Sequence, residues 1–182
     1  MRLLKLTCLS LVMLFSLNSC SDDDSAPVNN VTPPDEEIPA FPMTAKINGT
    51  LFEMKNPFGS DYATTSIFSD YPDEDYIQLQ GRPGHSLGMW EVLIWIKREH
   101  LVEGTYQVGP ETNYTDTHIR LIDNTNDVIE STAFGNITIT AVDTEAKIVK
   151  GTFEFDTTDF DSDTVVHQVR NGKFTYRYDV EN

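Results

Sequence analysis

The chain has little cysteine and little positive charge. Its 182 residues include 2 cysteines, and 13 basic residues stand against 29 acidic residues, which gives a formal net charge of −16. A nucleic-acid-binding protein needs a Lys- and Arg-rich surface that displaces counterions from the phosphates. The charge therefore excludes nucleic acid as a partner and disfavours other acidic ligands.

The chain also lacks an apolar run long enough to span a membrane. Residues 6–17 are almost wholly apolar or small, but a membrane-crossing helix needs about 20 such residues. Arg2 and Lys5 precede this run, and acidic residues from Asp22 onward follow it. A short basic start, an apolar centre and a small residue before the cleavage point are typical of an export signal.

The tetrapeptide from Leu17 to Cys20 resembles the bacterial lipobox, although Asn18 departs from the usual small or apolar residue. The resemblance implies that the Cys20 thiol is acylated and that residues 1–19 are removed as a lipoprotein signal peptide. The other cysteine, Cys8, lies in the removed segment, so the mature chain would hold no pair to oxidise. A plain secretory signal with an incidental cysteine is the alternative.

The next four residues, Ser21, Asp22, Asp23 and Asp24, resemble the acidic export tag of surface-exposed lipoproteins in bacteroidete-type Gram-negative bacteria. The resemblance implies a protein that is lipid-anchored in the outer membrane and faces the cell exterior. A solvated acidic linker on a protein of the periplasmic face is the alternative. Because a triacylated Cys20 carries more than the two lipid signals needed for stable attachment, we expect the lipid bilayer to be one partner.

The rest of the chain divides into a tether and a domain. Residues 20–40 are rich in Asp, Asn and Pro and have almost nothing to bury, so we expect them to be disordered. Residues 41–182 are expected to form a single domain of ordinary size. Apolar and polar residues alternate along it, which is typical of strands with one buried face, and Asn48-Gly49 predicts a tight hairpin.

The pattern predicts an all-β domain, either an antiparallel β-sandwich or a flattened lipocalin-like barrel of about 8–10 strands, with no convincing helix. The predicted strands cover residues 43–47, 50–54, 63–68, 76–80, 89–97, 104–108, 115–121, 136–141, 149–155 and 172–180. Residues 135–140, 150–155 and 171–174 resemble the C-terminal signature of an uncharacterised family of small bacteroidete-type lipoproteins. That family is a domain of unknown function, so the resemblance supports the fold and the location and implies no catalytic residues.

One short motif and one acidic loop could carry chemistry. Residues 84–88 match the Gly-x-Ser-x-Gly nucleophile elbow around Ser86, but the segment that follows them reads as a strand rather than the required helix, so a serine hydrolase is a remote alternative. Four aspartates could contribute to a non-standard calcium cage, although Thr164 and Arg170 occupy positions where the helix-loop-helix calcium motif needs Gly and Glu. These aspartates are Asp156, Asp159, Asp161 and Asp163. A charged, solvated loop is the simpler interpretation, and we expect no other cofactor.

The histidines and aromatic residues complete the candidates. The four histidines show no zinc-ligand spacing, which argues against a zinc site. Trp95 shares its face of the predicted strand with Glu91, Leu93 and Lys97, so we expect its ring to be exposed and available to a ligand.

The sequence thus predicts a non-catalytic binding or adhesion module for a glycan, a peptide or an envelope protein, with a lipocalin-like small-molecule carrier as the alternative.

Overall fold

The computed structural model describes residues 38–54, 72, 74–82, 90–110, 116–158 and 164–179. Nine antiparallel strands form one continuous sheet that curls into a half-barrel, which confirms the predicted all-β class. Among the described residues, helix is limited to one short 3₁₀ turn, Arg98–His100, and none has the length and apolarity needed to cross a bilayer. The strands are β1 (Met43–Ile47), β2 (Thr50–Glu53), β3 (Tyr76–Gly81), β4 (Trp90–Lys97), β5 (Gly104–Val108), β6 (His118–Asp123), β7 (Val128–Asp143), β8 (Ile148–Thr158) and β9 (Val165–Arg177).

The strand order is β2-β1-β9-β8-β7-β6-β4-β3, and β5 also pairs with β7. The long strand β7 connects the two parts of the sheet. One of its edges pairs with β8, while the other pairs first with β6, over residues 128–130, and then with β5, over residues 135–139. Two register shifts interrupt the β7–β8 ladder, one of them between Thr132 and Phe134. Such bulges bend and twist a strand, which accounts for the curl of the sheet.

The curl brings the two ends of the sheet together. The Tyr176 hydroxyl on β9 donates a hydrogen bond to the Gln80 carbonyl on β3 at 2.7 Å, and it lies 2.8 Å from the Met54 sulfur. The space between these strands is filled by large apolar side chains from both parts of the sheet. Those that are almost completely buried include Met43, Ile47, Leu79, Ile94, Ile96, Ile119, Phe153, Phe155 and Tyr176.

The predicted hairpin at Asn48-Gly49 is confirmed. Both residues have positive φ, 48° and 81°, as a two-residue turn between twisted strands requires. The Asn48 side chain also accepts a hydrogen bond from the backbone nitrogen of Gln168 at 2.8 Å, which fastens the turn to β9. The predicted strand at residues 63–68 lies outside the described residues.

Strands β7 and β9 begin earlier than predicted, at Val128 and Val165 rather than near residues 136 and 172. Their first residues depart from the alternation pattern because Val128, Ile129, Val165 and Val166 are all more than 40% exposed. These residues are β-branched, and their preference for extended backbone favours a strand here although their side chains are not buried.

Candidate functional site

The prediction that Trp95 is exposed is wrong. Its relative exposure is 0%, and it packs with Tyr76 and Leu93 in a second buried cluster on the outer face of β3 and β4. The His118 ring stacks on the indole with centroids 6.3 Å apart, and the Arg120 guanidinium lies 5.3 Å from the ring centroid. Trp95 therefore offers no surface to an external ligand, and its polar neighbours along the strand misled the prediction.

Several other predicted site residues lie outside the described residues. Cys20 and the four residues of the acidic tag belong to this group, as do Ser86, Asp159, Asp161 and Asp163. Asp156 is described, and it lies on β8, just upstream of the other three aspartates. Its buried carboxylate forms an ion pair with Arg170, which provides the positive charge that a calcium ion would otherwise supply.

A groove of about 180 Å³ lies on the outer side of the sheet where β5, β7, β8 and β9 run together. Two aromatic residues line it: Phe155 is buried, while Phe134 is 60% exposed and presents its ring to solvent. Polar side chains of several chemical types surround the ring. The groove is lined by Gln107, Phe134, Gly135, Asn136, Glu154, Phe155 and Arg170.

The strand register explains how these residues come together. Asn136 is directly opposite Gln107 on β5 and opposite Glu154 on β8, so three polar side chains form a row across three strands. Phe134 is opposite Asp156, next to the register shift that follows Thr132. Because a bulge re-aims the side chains beside it, Phe134 points outward although large aromatic residues are usually buried.

Hydrogen bonds hold the polar side chains of the groove in place. The Asn136 amide donates to Glu154 Oε1 at 3.2 Å. Arg170 Nη1 donates to the carbonyls of Phe155 and Val169, both at 2.9 Å, while its other terminal nitrogen is paired with Asp156. A carboxylate accepts up to about four hydrogen bonds and a guanidinium donates five, so Glu154 and Arg170 keep capacity for a ligand. The groove thus combines an aromatic surface with fixed donors and acceptors.

A second cluster lies on the inner side of the sheet, at the end of the half-barrel that carries the β6–β7 turn. Asp123, Glu130 and His167 each offer one atom that could bind a metal ion, and these three atoms lie within 4.8 Å of one another. His167 Nδ1 is 2.8 Å from the Glu130 carboxylate, which also accepts a hydrogen bond from the Thr157 hydroxyl. Sequence spacing did not reveal this cluster because its members lie on three strands and His167 is 37 residues from Glu130.

The Asp123 carboxylate is held in its charged form. Burial raises its pKa, but hydrogen bonds from the Asn126 amide and from the backbone nitrogens of Thr125 and Asn126 outweigh burial and hold the pKa below its usual range. A smaller contribution comes from the nearby His167. The β6–β7 turn thus presents a fixed negative charge at the inner end of the sheet.

Residues 91–176 match a domain of unknown function, DUF6252. No curated protein and no solved structure matches the chain. The match extends from β4 to β9 and includes both the groove and the second cluster. The predicted resemblance to a family of unknown function is confirmed over this span, while its lipoprotein character remains a prediction.

Proposed function

We propose that this chain is a non-catalytic binding module, lipid-anchored through Cys20 on the outer face of the outer membrane, whose Phe134 groove binds a neutral glycan. The observation that carries the proposal is an aromatic ring that is 60% exposed and surrounded by amide, carboxylate and guanidinium groups. The C–H faces of a sugar ring pack on an aromatic face, and its hydroxyls both donate and accept hydrogen bonds.

The size of the groove supports a short contact with a longer chain. Its volume of about 180 Å³ is smaller than the ~300–1,000 Å³ of pockets that enclose a drug-sized ligand. It corresponds to roughly six water molecules at ~30 Å³ each, which is close to one sugar ring. We therefore infer that one residue of a glycan packs on Phe134 while its neighbours extend along the sheet surface.

Charge supports a neutral sugar rather than an acidic one. Removal of residues 1–19 would leave 11 of the 13 basic residues against all 29 acidic residues. Within the groove, Arg170 is already paired with Asp156, and Glu154 adds a further negative charge. An acidic polysaccharide would meet repulsion over most of the surface.

The packing of the interior favours a surface module over a lipocalin-like carrier. A carrier needs an apolar cavity inside the sheet that is large enough for its ligand. In the described part of the chain, the side chains of Phe153, Phe155 and Tyr176 occupy this space together with residues from β1, β3, β4 and β6. A ligand is therefore expected on the outer side.

The test is binding of the full chain, purified in detergent, to an array of neutral glycans. We expect Phe134→Ala to weaken binding about fivefold, since an aromatic contact contributes about 1 kcal/mol, and Phe134→Tyr to retain most of the affinity. Leu51→Ala is the matched control, because Leu51 is equally exposed at 61% but lies on β2 and does not line the groove.

The absence of binding to any neutral glycan would contradict the proposal. Equal binding by the wild type and Phe134→Ala would also contradict it. If the same groove bound a peptide and no glycan, the proposed ligand class would be wrong.

A further inference from the structure

The inner end of the half-barrel carries a group of side chains with the composition of a metal site. Asp123 ends β6, Glu130 lies near the start of β7, and His167 lies near the start of β9. One ligand atom from each is within 4.8 Å of the other two. Three strands thus converge on one point, although the residues are widely separated in the sequence.

The cluster carries more negative charge than its surroundings balance. Asp123 is 7% exposed and Glu130 is 5% exposed, while the His167 side chain is 12% exposed. Among the described residues, the His167 imidazole pairs with the Glu130 carboxylate, and the Asp123 carboxylate lies within 4.8 Å of both. Two buried carboxylates that share one imidazole are electrostatically costly, and a divalent cation would neutralise them.

We propose that Asp123, Glu130 and His167 bind a divalent first-row transition-metal ion, for which Zn²⁺ is the probe. The imidazole nitrogen selects this class, since calcium and magnesium prefer oxygen ligands alone. Zinc lies about 2.0–2.2 Å from nitrogen and carboxylate oxygen ligands, so ligand atoms around a tetrahedral ion are about 3.4 Å apart. To surround the ion, the widest spacing in the cluster, up to 4.8 Å, must close by up to about 1.4 Å, while the His167–Glu130 spacing of 2.8 Å must open by about 0.6 Å.

A buried donor beside the cluster supports this assignment independently. The Trp90 ring packs edge-on against His167 with centroids 5.8 Å apart, and its indole nitrogen is buried with no hydrogen-bond partner in the described structure. Buried donors without an acceptor are rare in folded proteins. A water or anion in the fourth position of a three-ligand zinc site supplies an acceptor for such groups.

The proposal does not depend on the Phe134 groove. None of the three proposed ligands lines the groove, which lies on the outer side of the sheet. A metal ion here would join β6, β7 and β9, so its binding should stabilise the fold even where no glycan is present.

The test is Zn²⁺ titration of the full chain, purified in detergent without a polyhistidine tag and freed of metal by chelation. Calorimetry should show one Zn²⁺ per chain. The melting temperature should rise by about 5–10 °C at a hundredfold excess over Kd. Co²⁺ should give the visible absorption of a tetrahedral site and be displaced by Zn²⁺.

Variants distinguish the cluster from adventitious binding. His167→Gln should weaken Zn²⁺ binding by about tenfold or more. His100→Gln is the matched control and should bind as the wild type does, because His100 stacks on Tyr106 and is not in the cluster. Asp123→Asn, which keeps the size of the side chain, gives a second measurement if His167→Gln does not fold. Absence of Zn²⁺ binding, or equal binding by the wild type and the cluster variants, would overturn the proposal.

Discussion

At the scale of single residues, aromatic rings pack closely over backbone glycines. A Cβ atom built on Gly151 would lie closer than 3.0 Å to the Phe174 ring and to the Thr138 carbonyl oxygen. The Phe153 and Phe174 rings lie next to one another on this inner face, with centroids 6.4 Å apart. The missing side chain on β8 therefore creates the space that an aromatic residue of β9 occupies.

We expect Gly151→Ala to destabilise the domain by about 1–3 kcal/mol, because the added methyl group must displace either a packed ring or backbone. Gly109→Ala is the control, since the nearest atom to its Cβ would be 4.0 Å away and the change should be neutral or slightly stabilising. Urea unfolding of both variants measures the difference. Equal stability would show that the sheet opens easily at Gly151.

Residue type alone was a poor guide to exposure. Trp95 has polar neighbours along its strand yet is completely buried, while Phe134 is 60% exposed. The prediction for Trp95 was wrong because the outer face of β4 is covered, and Phe134 is exposed because a bulge redirects the chain beside it. Neither effect is visible in a window of a few residues.

At the scale of elements, one ion pair joins the 3₁₀ turn to the end of β9. The Arg98 guanidinium contacts both oxygens of Asp179, at 2.8 and 3.0 Å. The hydrogen bonds from Arg98 hold the pKa of the Asp179 carboxyl below its usual range, although burial opposes them. A carboxyl whose pKa is lowered by folding stabilises the fold above the unfolded pKa, and this contribution is lost as the pH falls through the folded pKa.

We therefore expect Asp179→Asn to lower the free energy of unfolding by less than about 1 kcal/mol at neutral pH, since the pair is partly exposed. At an acid pH, below the ordinary aspartate pKa of about 3.9, the difference from the wild type should shrink, and it should vanish once the pH falls through the lowered pKa of folded Asp179. Arg98→Lys should give an intermediate loss at neutral pH because it keeps the charge but not the two-point contact. Urea unfolding at both pH values checks this, and a difference that is equal at both would contradict the assigned cause.

At the scale of the whole molecule, the proposed lipid anchor would decide where any binding site acts. We expect Cys20→Ser to remove the acyl chains, so that the chain partitions into the aqueous phase instead of the detergent phase of a cloud-point extraction. Cys8→Ser is the matched control and should remain lipid-bound, because Cys8 lies in the segment predicted to be removed. Mass spectrometry of the mature N-terminus gives the second measurement. A Cys20→Ser chain that still partitions with lipid would contradict the anchor.

The sequence by itself determined the strand class and most strand positions. Alternation in β4 and β8, together with the Asn48-Gly49 turn, predicted antiparallel β-structure because side chains on a strand alternate between faces with a period of two. This signal is local, since each strand carries its own pattern. The ends of the strands were predicted less accurately, as the early starts of β7 and β9 show.

Only the tertiary structure decided which residues meet. The long strand β7 pairs with β5, β6 and β8, and its bulges set which side chains face inward and outward. The Phe134 groove and the Asp123–Glu130–His167 cluster both depend on this long-range register. Register results from the packing of all strands together, so no spacing along the chain could reveal that His167 lies beside Glu130.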